Sequence, residues 1–182
     1  VTNMSYMFKN ATSANPNTLT WDTIKVVYMN SMFEGATSAV PSTDWDTDNV
    51  IYMNSMFEEA IKANPDTSKW DTSKVTDMND MFYNAELAEP DTSGWNTSSV
   101  TDMSYMFGGA IKANPDTASW DTLKVTDMRG MFRGATMATP STSLWKTSNV
   151  TNMSYMFKNA TSANPATLTW DTVNVVYMNS MF

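Results

Sequence analysis

The chain has 182 residues, 19 acidic against 11 basic side chains, a formal charge of −8 and a pI near 4.3. Without clusters of Lys and Arg it has nothing to displace counterions from phosphate or to bind anionic lipid, which excludes nucleic-acid and membrane-surface partners. Cysteine is absent, so there is neither a disulfide framework nor thiol chemistry, and no apolar run resembles a signal peptide or a membrane span.

The first unit carries ten residues that never vary along the chain: Val1, Met4, Met7, Phe8, Ala11, Ala14, Pro16, Thr18, Trp21 and Thr23. Met4, Met7, Phe8 and Ala11 stand at i, i+3, i+4 and i+7, the spacing of one helix face, and Val1 and Ala14 extend that stripe. The spacing predicts a short α-helix that stops at Asn15-Pro16, because proline disfavours α conformation in the residue before it. Thr2 or Asn3, and Thr76 or Asp77 in a later unit, are candidate N-caps. After the proline, Thr18, Trp21 and Thr23 alternate with polar Thr20 and Asp22, which predicts a short strand with the tryptophan pointing inward.

The unit recurs. The order Trp-x-Thr-x-x-Val-x-x-Met-x-x-Met-Phe appears seven times, and residues 1–8 form a further copy without the Trp-x-Thr lead-in. The tryptophans Trp21, Trp45, Trp70, Trp95, Trp120, Trp145 and Trp170 are 25 residues apart five times and 24 once, the short unit having lost a residue between Pro41 and Trp45. Such a period signals an array in which each unit packs on its neighbours. The expected fold is therefore an α/β repeat solenoid, right-handed by the crossover rule, with one short parallel strand and one short helix per 25-residue coil. It forms a single array over residues 1–182, seven repeats of 24–25 residues plus a partial eighth. Residues 1–33 and 150–182 differ at three positions only (Asn17/Ala166, Ile24/Val173, Lys25/Asn174), an offset of 149 residues that reads as a six-coil super-repeat. With no polar cap visible at either end, the expectation is a window cut from a longer array.

The run Trp70-Asp71-Thr72-Ser73-Lys74-Val75-Thr76-Asp77-Met78, followed by Met81-Phe82 and matched in every unit, resembles the BspA-like bacterial surface-protein repeat. That resemblance implies a leucine-rich-repeat relative, with Thr67, Trp70 and Thr72 where the leucines of such repeats sit. It also implies display at the cell surface and, for some members, adhesion to host matrix proteins or to other cells. Ala14 and Thr18, with their equivalents, stand where the family usually has Phe and Ile or Leu, which implies slimmer units with a more polar core.

Met-x-x-Met pairs suit Cu(I) as soft ligands, but their spacing with phenylalanine fits core packing, so Met78, Met81 and Phe82 are assigned to the core with the tryptophan column. No metal and no cofactor is expected: one carboxylate per coil falls short of the six to eight oxygens calcium takes. The threonine columns are read as inward, with hydroxyls bonded along the stack. The candidate binding face is the set of variable positions flanking tryptophan: Asp22, Asp44, Asp46, Lys69, Asp71, Asn96, Ser119, Asp121, Lys146 and Asp171. With no His, Cys or phosphate loop and no recurring pair of acids, no catalytic residue is assigned. The expected role is a non-enzymatic, extracellular or cell-surface domain for adhesion or recognition of a host or neighbour-cell protein or glycan. The alternative is a stalk or filament segment that self-associates end to end.

Overall fold

A computed structural model describes all residues, 1–182. The chain winds as successive coils, residues 1–25, 26–49, 50–74, 75–99, 100–124, 125–149 and 150–174, with 175–182 beginning an eighth. Consecutive coils lie in parallel register, joined by single bridges that run Asn3, Tyr28, Tyr52, Asp77, Asp102, Asp127, Asn152, Tyr177.

The expected helix and strand are both absent, which corrects the α/β solenoid and its leucine-rich-repeat-like coil: none of the 83 backbone hydrogen bonds lies within a helix or strand. The reason is visible in the fourth coil. Met81 N–H donates to the Met78 carbonyl (3.3 Å), Tyr83 to Asp80 (3.0 Å) and Ala85 to Phe82 (3.0 Å), so the segment is a chain of overlapping four-residue turns. Asp80 (φ 53°) and Asn84 (φ 54°) occupy the left-handed region at the third position of two of these turns. Every coil repeats the device, from Tyr6 and Asn10 to Tyr155 and Asn159. A left-handed residue rotates the peptide before it out of the helical direction. The freed N–H groups then point along the stack: Met78, Asp80, Phe82 and Asn84 donate to Asp102, Ser104, Met106 and Gly108 of the next coil at 2.7–3.1 Å.

The apolar stripe read from the sequence still faces inward, but on turns. Met78, Met81, Phe82 and Ala85 are fully buried, and 41 buried apolar residues form one cluster that is continuous along the stack. Its axis is a phenylalanine column from Phe8 to Phe182 with ring centroids 5.3–5.9 Å apart and planes within 13° of parallel. Five of the six successive tryptophan pairs stack beside it at 6.2–6.4 Å, and Phe57 meets Trp70 at 6.4 Å, one of six coils in which the two sides touch ring to ring across the core. Offset stacking of this kind adds about 0.5–1.5 kcal/mol per pair to the burial of the rings.

The strand is replaced by two corners. Trp70 N–H closes a turn on Thr67 (3.1 Å) and Val75 N–H closes another on Thr72 (2.9 Å). The threonines face in and bond along the stack: Thr67 Oγ1 donates to the Asp91 carbonyl (2.6 Å) and Thr72 Oγ1 to the Asn96 carbonyl (3.0 Å). No helix is long and apolar enough to cross a membrane.

Candidate functional site: the tryptophan-flanking face

The residue after each tryptophan begins the second corner, and in every coil but the sixth its side chain has a local task. Asp71 Oδ1 accepts a hydrogen bond from Ser73 N–H at 2.8 Å, and Asp22, Asp46, Asn96, Asp121 and Asp171 do the same for the amide two residues on, at 3.0–3.2 Å. These are Asx-turns, which Asp and Asn form because their short side chains mimic a backbone carbonyl. Six of the ten predicted face residues therefore shape the coil as well as face solvent. The same chemistry recurs one corner earlier, where Asp66 and Asp91 accept from Ser68 and Ser93 through both hydroxyl and amide. Those hydroxyl bonds hold the Asp66 and Asp91 carboxyls below the usual range, and the Ser73 amide does so for Asp71.

The remaining predicted residues stand free of that task. Lys69 Nζ reaches Asp44 Oδ1 of the preceding coil at 2.8 Å, and Lys146 Nζ reaches Asp121 Oδ1 at 3.5 Å. Both pairs are solvent-exposed, where screening leaves such contacts worth about 0–1 kcal/mol. Ser119, Asp121 and Lys146 come together with Ala118, Trp120 and Leu144 around a shallow depression of about 350 Å³. Leu144 is 71% exposed there, an apolar side chain left largely open to solvent. Asp22 and Asp171, in the first and seventh coils, lie away from this depression, and no three acidic side chains converge as a metal centre.

Across the core, on the side of the left-handed turns, lies a cluster that the sequence reading passed over. The Arg129 guanidinium sits 5.3 Å from the Tyr105 ring and 5.9 Å from the Tyr155 ring, with Arg133 and Lys158 also over Tyr155. Gly130 (φ 58°) makes this possible, since a Cβ there would run into the Tyr105 ring. Three coils earlier the same side is acidic, with Glu34, Glu58, Glu59 and Asp80. Burial and the neighbouring carboxylates, Glu58 foremost, push Asp80 up to about 6, and burial raises Glu58 as well. Asp77, a candidate helix N-cap in the sequence, and its equivalent Asp127 instead accept from Asn79 and Arg129 amides at 3.0 and 2.7 Å, and burial raises both carboxyls. The blocks of acidic and basic residues were legible, but not that they shared one side with the tyrosines.

No curated protein and no solved structure matches the chain. The family described as "Mycoplasma protein of unknown function, DUF285" matches residues 2–119 and 110–182, and its two matches together take in the chain almost from end to end. The chain belongs to that family.

Proposed function

We propose that this chain is a non-enzymatic recognition domain displayed at the bacterial surface, contacting a protein or glycan through the tryptophan-flanking face. The observation that carries this reading is a division of labour within each coil. In the second to sixth coils the ten invariant residues are all buried, whereas the exposed position before tryptophan changes along the chain from Thr20 to Asp44, Lys69, Gly94, Ser119, Leu144 and Thr169. A stack needs no such variety, and a binding surface does: repeat arrays present extended faces whose variable residues select the partner. The resemblance to bacterial surface-protein repeats supports the location. Leu144 beside Lys146 and Asp121 offers the mixture of apolar and charged groups that protein and glycan contacts use.

The test is adhesion of the purified chain to host cells and to immobilised matrix proteins and glycans, with Leu144→Asp and Lys69→Glu as variants. Adhesion that falls at least about tenfold in Leu144→Asp, with the thermal transition unchanged, supports the reading. Adhesion by neither protein, or equal adhesion by all, would turn the reading towards a spacer, whose length matters and whose exposed residues do not.

A further inference from the structure

The side carrying the left-handed turns is self-complementary. Its charges change sign along the stack: Glu34 in the second coil and Glu58 and Glu59 in the third, against Arg129 and Arg133 in the sixth and Lys158 in the seventh. In two adjacent columns beside them, Glu86 stands in the fourth coil, aligned with Ile61 and Ile111, and Lys112 in the fifth, aligned with Lys62, Leu87 and Met137. A row of apolar side chains runs between these ends, one per coil from the third to the sixth: Ile61, Leu87, Ile111 and Met137, each 39–56% exposed. Glu59, Ile61, Asn84 and Glu86 line one shallow hollow, which places the charged and apolar columns side by side.

We propose that two copies of this chain pair antiparallel across this side, about a two-fold axis between the fourth and fifth coils. Reversal about that axis exchanges third for sixth, fourth for fifth and second for seventh. Glu58 and Glu59 then face the Arg129 and Arg133 turns of the second copy, Glu86 comes one position from Lys112, and Glu34, which also pairs with Lys9 of its own chain at 2.9 Å, faces Lys158. Ile61 comes one position from Met137, and Leu87 one position from Ile111. Tyr83 and Tyr105, edge to face at 5.7 Å within one chain, sit at the centre, where aromatic residues concentrate in interfaces. Every pairing is made twice, as an isologous interface requires. Matching coil spacing in the two copies fixes the register without further adjustment. A stable pair buries about 800 Å² on each partner, a tenth of the 8155 Å² this chain exposes. The axis runs through the side opposite the tryptophan-flanking face and leaves that face open on both copies.

The test is sedimentation of the full chain in low and high salt, with two charge-reversed variants, Glu58→Arg/Glu59→Arg and Arg129→Glu/Arg133→Glu. The wild type should sediment at twice 20.3 kDa and dissociate as salt rises. Each variant alone should pair at least about tenfold more weakly, because both of its contacts become repulsive. An equimolar mixture should recover pairing, since the arginines at 58, 59, 129 and 133 of one variant then face glutamates at those positions of the other. That recovery also shows that both are folded. A monomeric wild type, variants that still pair alone, or a mixture that fails to pair would each overturn the proposal. End-to-end stacking, which leaves this side uncovered, would be indifferent to all four substitutions.

Discussion

Asp80 concentrates what is unusual at the scale of single residues. It is a carboxylate held with positive φ, half-buried, facing Glu58 and near Asp77 and Asp102. Its folded pKa of about 6 lies above the ordinary 3.8, so the folded state binds the proton more tightly than the unfolded chain. The stabilisation that protonation brings is complete below about 3.8 and is lost as pH rises through about 6. Asp80→Asn removes the charge and suits the left-handed region better. It should stabilise the protein by about 1 kcal/mol near pH 7, after allowance for solvent screening, and by much less near pH 4. Thermal unfolding of both proteins at the two pH values checks this, and an equal gain at both would mean that backbone preference alone is responsible.

At the scale of the element, the short second coil shows what one residue is worth. Elsewhere the tryptophan amide closes a four-residue turn on the threonine three positions back; in the second coil Trp45 N–H reaches Thr43, two back, at 2.7 Å. The tighter turn leaves Trp45 Nε1 buried without a partner, whereas Trp70 Nε1 in the next coil bonds the Thr43 carbonyl at 3.0 Å. Thr23 Oγ1 is orphaned too, at the position where Thr47 and Thr72 bond the following coil. Trp120 Nε1 also lacks a partner although its coil is full length, and nothing in the structure explains that one. A serine inserted between Thr43 and Asp44 restores the common spacing and should raise stability by about 1–2 kcal/mol, read by denaturant unfolding on the tryptophan signal.

The same element explains what the sequence could and could not disclose. Met78, Met81, Phe82 and Ala85 were legible as an inward stripe, because burial follows their spacing whether the backbone is helical or turned. The helix itself was not, since linked turns can place the same four side chains on one side. One signal was available. The column Asn10, Gly35, Glu59, Asn84, Gly109, Gly134, Asn159 is Asn or Gly at all but one position, the composition that positive φ selects. Its companion, Tyr6, Ser31, Ser55, Asp80, Tyr105, Gly130, Tyr155, Ser180, carries no such signature and is imposed by contacts between coils. On the candidate face the exposure of Asp22, Asp46 and Asp71 followed from alternation with tryptophan. Their Asx-turns did not, because the segment had been read as extended. The arginine–tyrosine cluster escaped for a different reason: its members come from three coils and meet only once the register is known.

The whole molecule behaves as a sum of coils and the contacts between neighbours. Almost every bond that leaves a coil goes to the coil before or after it, at a separation of 23–28 residues. Removal of residues 75–99, one complete coil, joins Lys74 to Val100 in register and should leave a folded protein that melts cooperatively, a few degrees lower. Removal of residues 75–86 alone would put phenylalanine and tryptophan columns out of register and should abolish the cooperative transition. Circular dichroism melting distinguishes the two; survival of the half-coil deletion would sink the neighbour-stacking account.

The peptides that link the coils have one further consequence. In each of the first six coils four of them point their N–H groups towards the next coil, against one or two per coil, from the second coil on, that point back. Their dipoles therefore add along the stack, positive towards the C-terminal coils and negative towards the N-terminal ones, the reverse of an α-helix read in the same chain direction. Two stacks lying side by side in the same sense would oppose each other through this field; turned end for end, each lays its positive pole beside the other's negative one. Backbone polarity and side-chain charge thus favour the same antiparallel arrangement, and only the first of them is indifferent to every surface mutation.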